Sequence, residues 1–271
     1  MDALNQIKDI YKNNFKESPF DIIEKVFCDV TELFEGKMKG FNKCDTMYHD
    51  IQHTQETALA MSQIMDGFNR RGNLPIISPR IFRLGVIASL LHDVGYIKET
   101  GDDKGSGAKY TFIHVNRGVN FAKKYLSSKG YDKNSISSIM GMMWCTLSHD
   151  GISNIKFSSK EEKTAAFSLG TADLLSQMAK HDYLKKLPIL FDEFKEAYKY
   201  EGIEELKKKG HIVFHSADEL IKNTPDYYES YVKNRFNEMG SVYQFIPLHF
   251  GNKKNHYLER IEKNLEKIKL L

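Results

Sequence analysis

The sequence predicts an all-α protein. Apolar residues recur at three- and four-residue spacing along most of the 271 residues. Strand-like alternation of apolar and polar positions is scarce. Only six prolines interrupt the chain, so few breaks are enforced. Hydrophobic residues make up 41%, enough to build a core and too many for general disorder.

The elements follow in order. A first helical region covers about 2–35. The next helix runs from about 48 to 68. Residues 70–78 hold glycine and proline and read as a loop. Ser78-Pro79 then supplies an N-cap followed by proline at the first helical position, and that helix ends near Gly95. Residues 100–109, TGDDKGSGAK, form the most loop-like stretch. Helices follow at about 111–128, 134–148 and 160–181. The last third, about 186–271, is also helical and richer in lysine and tyrosine. No repeat, low-complexity tract or flexible linker divides the chain. One compact domain over 1–271 is the simplest organisation, with a core at about 45–185 and a C-terminal helical extension at about 186–271.

Several functions are disfavoured at once. Lysine plus arginine is 39 and aspartate plus glutamate 36, so a net charge of +3 gives no strong signal for nucleic acid. The longest clean apolar run, Leu84 to Leu91, is far shorter than the roughly 20 residues that span a bilayer. The opening MDALNQIKDIYKNN lacks the apolar core of a signal peptide. Cys28, Cys44 and Cys145 are widely spaced without a CxxC and are expected as reduced thiols. A cytoplasmic location is the expectation.

Ten histidines are the compositional oddity. His-Asp dipeptides stand at 49–50, 92–93, 149–150 and 181–182. The pair His92-Asp93 is set apart by its context, because Ile81, Leu84, Gly85, Ala88 and Leu91 form an apolar stripe that His92 continues. His49 and His53 are four apart and share a helix face. Asp173 falls on the small, apolar side of its helix with Ala166, Leu169 and Gly170. A buried carboxylate there needs a cation or strong donors. His114 opens one helix and His149 closes another. Mixed imidazole and carboxylate ligands suit first-row divalent metals such as iron, manganese or zinc, and the thiolates of structural zinc are absent. His211 and His215 are also four apart, but nothing near them supports a site. With His181, His249 and His256 they are expected to be exposed. The run ERIEKNLEKIK reads as the solvated face of a terminal helix.

The order His53, His92-Asp93, Asp173 resembles the metal-binding signature of the HD-domain phosphohydrolase superfamily, over about residues 45–185. SLLHDVGYIKE is its most specific string. The resemblance implies an HD-domain helical bundle with additional C-terminal helices. It implies metal ligation by His53, His92, Asp93 and Asp173, with Asp93 as the bridge. His114 and His149 resemble the extra histidines of binuclear members such as the HD-GYP phosphodiesterases, although no GYP follows His149-Asp150-Gly151. Tyr96 stands where those enzymes commonly carry lysine. Tyr48-His49-x-x-x-His53 is similar to a motif of class I cyclic-nucleotide phosphodiesterases, in which the first histidine protonates the leaving group.

The implied activity is metal-dependent hydrolysis of a phosphate ester of a small nucleotide-like molecule, a cyclic nucleotide included. Two divalent ions are expected, drawn from Fe, Mn, Mg, Zn and Ni. A bound ion lowers the pKa of water towards 7 and aligns it with phosphorus. Asp93 is expected in the catalytic set, His49 as proton donor, and Lys98 beside substrate phosphate with Arg117 as a further cation. Two alternatives use the same ligands: a silent metal- and nucleotide-binding regulatory module, and a di-iron oxygenase of HD type.

Overall fold

The computed structural model describes residues 2–147, 152–251 and 254–271. The first region holds two helices, α1 (Ala3–Asn14) and α2 (Asp21–Phe34). The break between them contains Pro19, which disfavours helical backbone at Ser18. Helix α3 (Ile51–Arg70) starts later than its apolar pattern suggests, because the Asp50 side chain caps it by accepting from the His53 N–H at 2.8 Å. Helix α4 (Pro79–Leu91) begins as expected, with Ser78 as cap and proline in the first turn. It stops before Gly95, and a 3-10 turn, Val94–Tyr96, follows.

The loop after it closes in a second 3-10 turn, Gly107–Tyr110, so α5 (His114–Ser128) begins at His114 and not near 111. Helix α6 (Lys133–Met143) ends short of the expected 148 and gives way to the 3-10 turn Trp144–Thr146. Helix α7 (Lys160–Met178) follows. The C-terminal third contains α8 (Tyr183–Glu201), α9 (Ile203–Lys208), α10 (Ala217–Tyr227), a π-helical turn at Tyr228–Val232, α11 (Lys233–Glu238), α12 (Ile246–His249) and α13 (His256–Lys269). Among the described residues there is no strand, only an isolated bridge between Phe41 and Glu99. The all-α class is therefore as the sequence predicts.

Helix α3 is the axis of the molecule, packed by α7, α1, α4 and α12. Helix α4 buries nearly every residue from Ile81 to Leu91, the mark of a helix enclosed on all sides. Small residues on α7, Ala165, Ala166, Ser168 and Ala172, are fully buried and let α3 approach closely. Thr57 and Ser176 hydrogen-bond across that interface at 2.8 Å. The extension is not a separate layer. Helix α13 packs on α7 and α10, and α8 packs on α10 and on the turn at Gly107–Tyr110. The buried apolar cluster runs from Ile7 to Ile268 without interruption by the extension. No described helix is long and apolar enough to cross a membrane.

Candidate metal centre

The start of α3, the end of α4, the start of α5 and the middle of α7 converge on one buried point. The Asp50 cap fixes His53 in the first turn of α3. His92 caps the C-terminus of α4, and Asp93 begins the turn that follows. Gly95 then makes a close approach possible: a Cβ there would lie 1.8 Å from the His114 carbonyl oxygen. Gly118, one turn further along α5, faces the His92 carbonyl in the same way, with a Cβ position 3.2 Å away. These two glycines bring α5 against the His-Asp turn and so bring His114 to Asp93.

Asp93 Oδ2 lies 3.2 Å from His92 Nε2 and 3.4 Å from His53 Nε2. Asp173 Oδ1 lies 3.1 Å from His53 Nε2 and 3.7 Å from His92 Nε2. Asp93 Oδ1 lies 3.6 Å from His114 Nε2. These are ion-pair separations, yet the directions do not make hydrogen bonds. His53 Nε2, His92 Nε2 and Asp93 Oδ2 are all buried without a hydrogen-bond partner. An orphaned buried polar atom costs about 1–3 kcal/mol, and three at one point have no rationale in packing. They aim lone pairs at a shared centre. One ligand atom from each of His53, His92 and Asp93 lies within 4.8 Å of the others, a group that could hold a metal ion.

The imidazoles are prepared for this. His92 Nδ1 donates to the Ser89 carbonyl at 2.7 Å, and His114 Nδ1 donates to the Thr111 carbonyl at 2.6 Å. A carbonyl only accepts, so each Nδ1 carries the proton and each Nε2 is left for a ligand. Burial lowers the proton affinity of His92, but Asp93 and Asp173 outweigh it and raise its pKa well above the ordinary imidazole value. Burial raises the Asp173 carboxyl, and His53 and His92 reverse this and hold it well below its usual range. Asp93 is likewise held low against burial, chiefly by His92. Burial keeps His114 below its ordinary value. Without a cation, a proton on His92 offsets part of the charge of the two carboxylates; a divalent ion would displace it.

His49 stands at the rim. Its ring centroid is 6.0 Å from that of His53 and 6.2 Å from that of His114. Its Nδ1 lies 2.7 Å from Glu193 Oε2 on α8. The other oxygen of Glu193 accepts the backbone N–H groups of Met47 at 2.9 Å and Tyr48 at 2.7 Å. Burial lowers the His49 pKa, and Glu193 overcomes this and raises it. Sequence reasoning missed Glu193. A signal did exist, since Leu190, Glu193 and Ala197 share the inward stripe of α8, and an acid on such a stripe needs a partner.

The other expected residues fall elsewhere. Lys98 Nζ is 2.8 Å from Asp45 Oδ2 and donates to the Gly105 carbonyl, so its charge is matched before any ligand arrives. Arg117 donates to the carbonyls of Gly95 and Ile97 and lies over the Tyr110 ring. Both cations brace the loop after Asp93. His149 lies outside the described residues. Leu147, the last described residue of its segment, is anchored by Arg235 of α11, which donates to its carbonyl at 2.6 Å. His181, His215 and His256 are exposed as expected. His211 and His249 are not: His211 packs on Phe112, and His249 Nδ1 meets the buried Asp66 at 2.5 Å. Helix α13 buries Ile261, Leu265 and Ile268 and leaves the charges of ERIEKNLEKIK outside.

The chain matches no protein-family model, and no curated protein matches it.

Proposed function

We propose that the chain is a metal-dependent phosphohydrolase or phosphodiesterase of HD type, acting on a small nucleotide-like phosphate ester. The observation that carries this reading is the convergence of three orphaned atoms, His53 Nε2, His92 Nε2 and Asp93 Oδ2, at a buried point beside Asp173 and His114. The donor set is nitrogen and oxygen, which fits a first-row divalent ion. His53, His92, Asp93 and Asp173 would hold it, with His114 towards a second ion; His149 belongs to the same proposal from the sequence pattern. A bound ion supplies a water of lowered pKa and charge for phosphate oxygens.

The chain's own residues supply the rest. His49 is held by Glu193 through Nδ1, so Nε2 is the nitrogen free to give a proton to a leaving oxygen. Glu193 raises the His49 pKa against burial, which favours retention of that proton. Burial of His53, His92 and Asp93 limits bulk water at the reacting end.

The test is direct. Purified protein is assayed for metal content, then for hydrolysis of bis(p-nitrophenyl) phosphate, nucleotides and cyclic nucleotides with Mn²⁺ or Fe²⁺. Turnover that vanishes in Asp93→Ala is the expected result. Protein that takes up no transition metal and hydrolyses nothing overturns the reading. Uptake of metal without turnover points to the regulatory alternative.

A further inference from the structure

The ring of Tyr96 packs against both rim histidines, whose own centroids are 6.2 Å apart. It stacks on His49 at 4.5 Å between centroids and 14° between planes. It stacks on His114 at the same distance and 18°. Tyr96 is itself immobilised. It is 1% exposed, sits in the 3-10 turn that follows Asp93, and donates its N–H to the Asp93 carbonyl at 3.1 Å.

His49 and His114 each have one anchor at Nδ1, the Glu193 carboxylate and the Thr111 carbonyl. A single hydrogen bond fixes one point of a ring and leaves it able to tilt about that point. A face contact with a third, rigid ring removes the tilt. Point and plane together determine where Nε2 aims. We propose that Tyr96 is a positioning residue, its aromatic face setting the planes of His49 and His114 so that the proton donor and the open-side ligand keep a fixed mutual geometry. This rests on the hydrolase reading for what the two imidazoles do, but not for the stack itself. The ring face, not the hydroxyl, carries the role. The Tyr96 hydroxyl is buried and makes no well-formed hydrogen bond; its polar neighbour is Thr111, and neither histidine is bonded to it.

The experiment compares wild type with Tyr96→Phe and Tyr96→Leu in the full chain. The first readout is activity on bis(p-nitrophenyl) phosphate with Mn²⁺. Tyr96→Phe is expected within about threefold of wild type in both kcat and KM. Tyr96→Leu is expected to lose about 10- to 100-fold in kcat, with KM within about threefold, as for a misaimed catalytic group. The second readout needs no turnover: imidazole signals of His49 and His114 in the metal-free protein by NMR. Both are expected to move in Tyr96→Leu and to stay in Tyr96→Phe. If Tyr96→Leu does not fold by circular dichroism, Tyr96→Met fills similar space without an aromatic face and takes its place. A non-aromatic variant with wild-type kcat, a Phe variant as weak as the Leu variant, or unmoved histidine signals overturns the proposal. Wild type that hydrolyses nothing sinks the hydrolase reading alone, and the stack is then decided by the histidine signals.

Discussion

Glu193 is the residue on which the rim of the site depends. It is 144 positions from His49 in the chain and hydrogen-bonded to it in the fold. Its carboxylate raises the His49 pKa against burial, so the charge of His49 is retained below that raised value and lost as pH rises through it. Removing the carboxylate lowers that pKa. Glu193→Gln is therefore expected to move the alkaline limb of the kcat profile to lower pH and to reduce kcat about tenfold or more, read from a pH–rate series. An unmoved limb would show that His49 is not the acid. At the buried centre, His92 competes with any cation through its raised proton affinity. Manganese affinity, followed by calorimetry, is expected to climb with pH through that raised value, and to fall at least tenfold in His53→Ala. A flat affinity across neutral and mildly alkaline pH would count against His92 as a ligand.

The elements differ in how far the chain announces them. Helices α4 and α7 are legible because apolar and small residues recur at helical spacing and Ser78-Pro79 marks an entry. His53, His92, Asp93, His114 and Asp173 are legible as a set because helix ends and faces carry them. What is not legible is where helices stop in favour of local bonds. Asp50 could be read as helical or as a cap, and only the cap places His53 in a first turn. The end of α4 depends on α5, which is distant in sequence. Lys98 looks like a substrate residue because it follows Asp93 closely; Asp45, from another segment, claims it. The His-Asp turn depends on Gly95. Gly95→Ala would drive a methyl carbon into the His114 carbonyl. We expect a loss of about 2–3 kcal/mol of stability by urea denaturation, with metal uptake lost before global unfolding. An alanine variant as stable as wild type would mean that α5 can retreat, and that His114 is not tightly placed.

At the scale of the whole molecule, the C-terminal third acts as a clamp on the site-bearing core. Glu193 holds the turn at Met47–His49, Glu196 holds Ser106 by its backbone N–H and hydroxyl, and Arg235 holds the segment at Cys145–Leu147. No local pattern in the chain predicts such long-range pairs, which is why the extension reads from sequence as an accessory. Arg235→Met is expected to destabilise the protein by about 2 kcal/mol in chemical denaturation, since it leaves two carbonyls without their donor. Unchanged stability would make that arm of the clamp dispensable.

Burial across the candidate centre is uneven. His53, His92 and Asp93 are nearly closed off, whereas the side chains of Asp173 and His114 are 14% and 19% exposed. Traffic to and from the centre is therefore one-sided. Under the proposed two-ion reading, an ion seated among the closed ligands would have to pass the open ones to leave, while an ion on the His114 side would not. Under a chelator, the two would depart in sequence, the outer quickly and the inner slowly. The protein would then pass through a half-loaded form with its deep ion retained, a form that can be isolated by timing rather than by mutation.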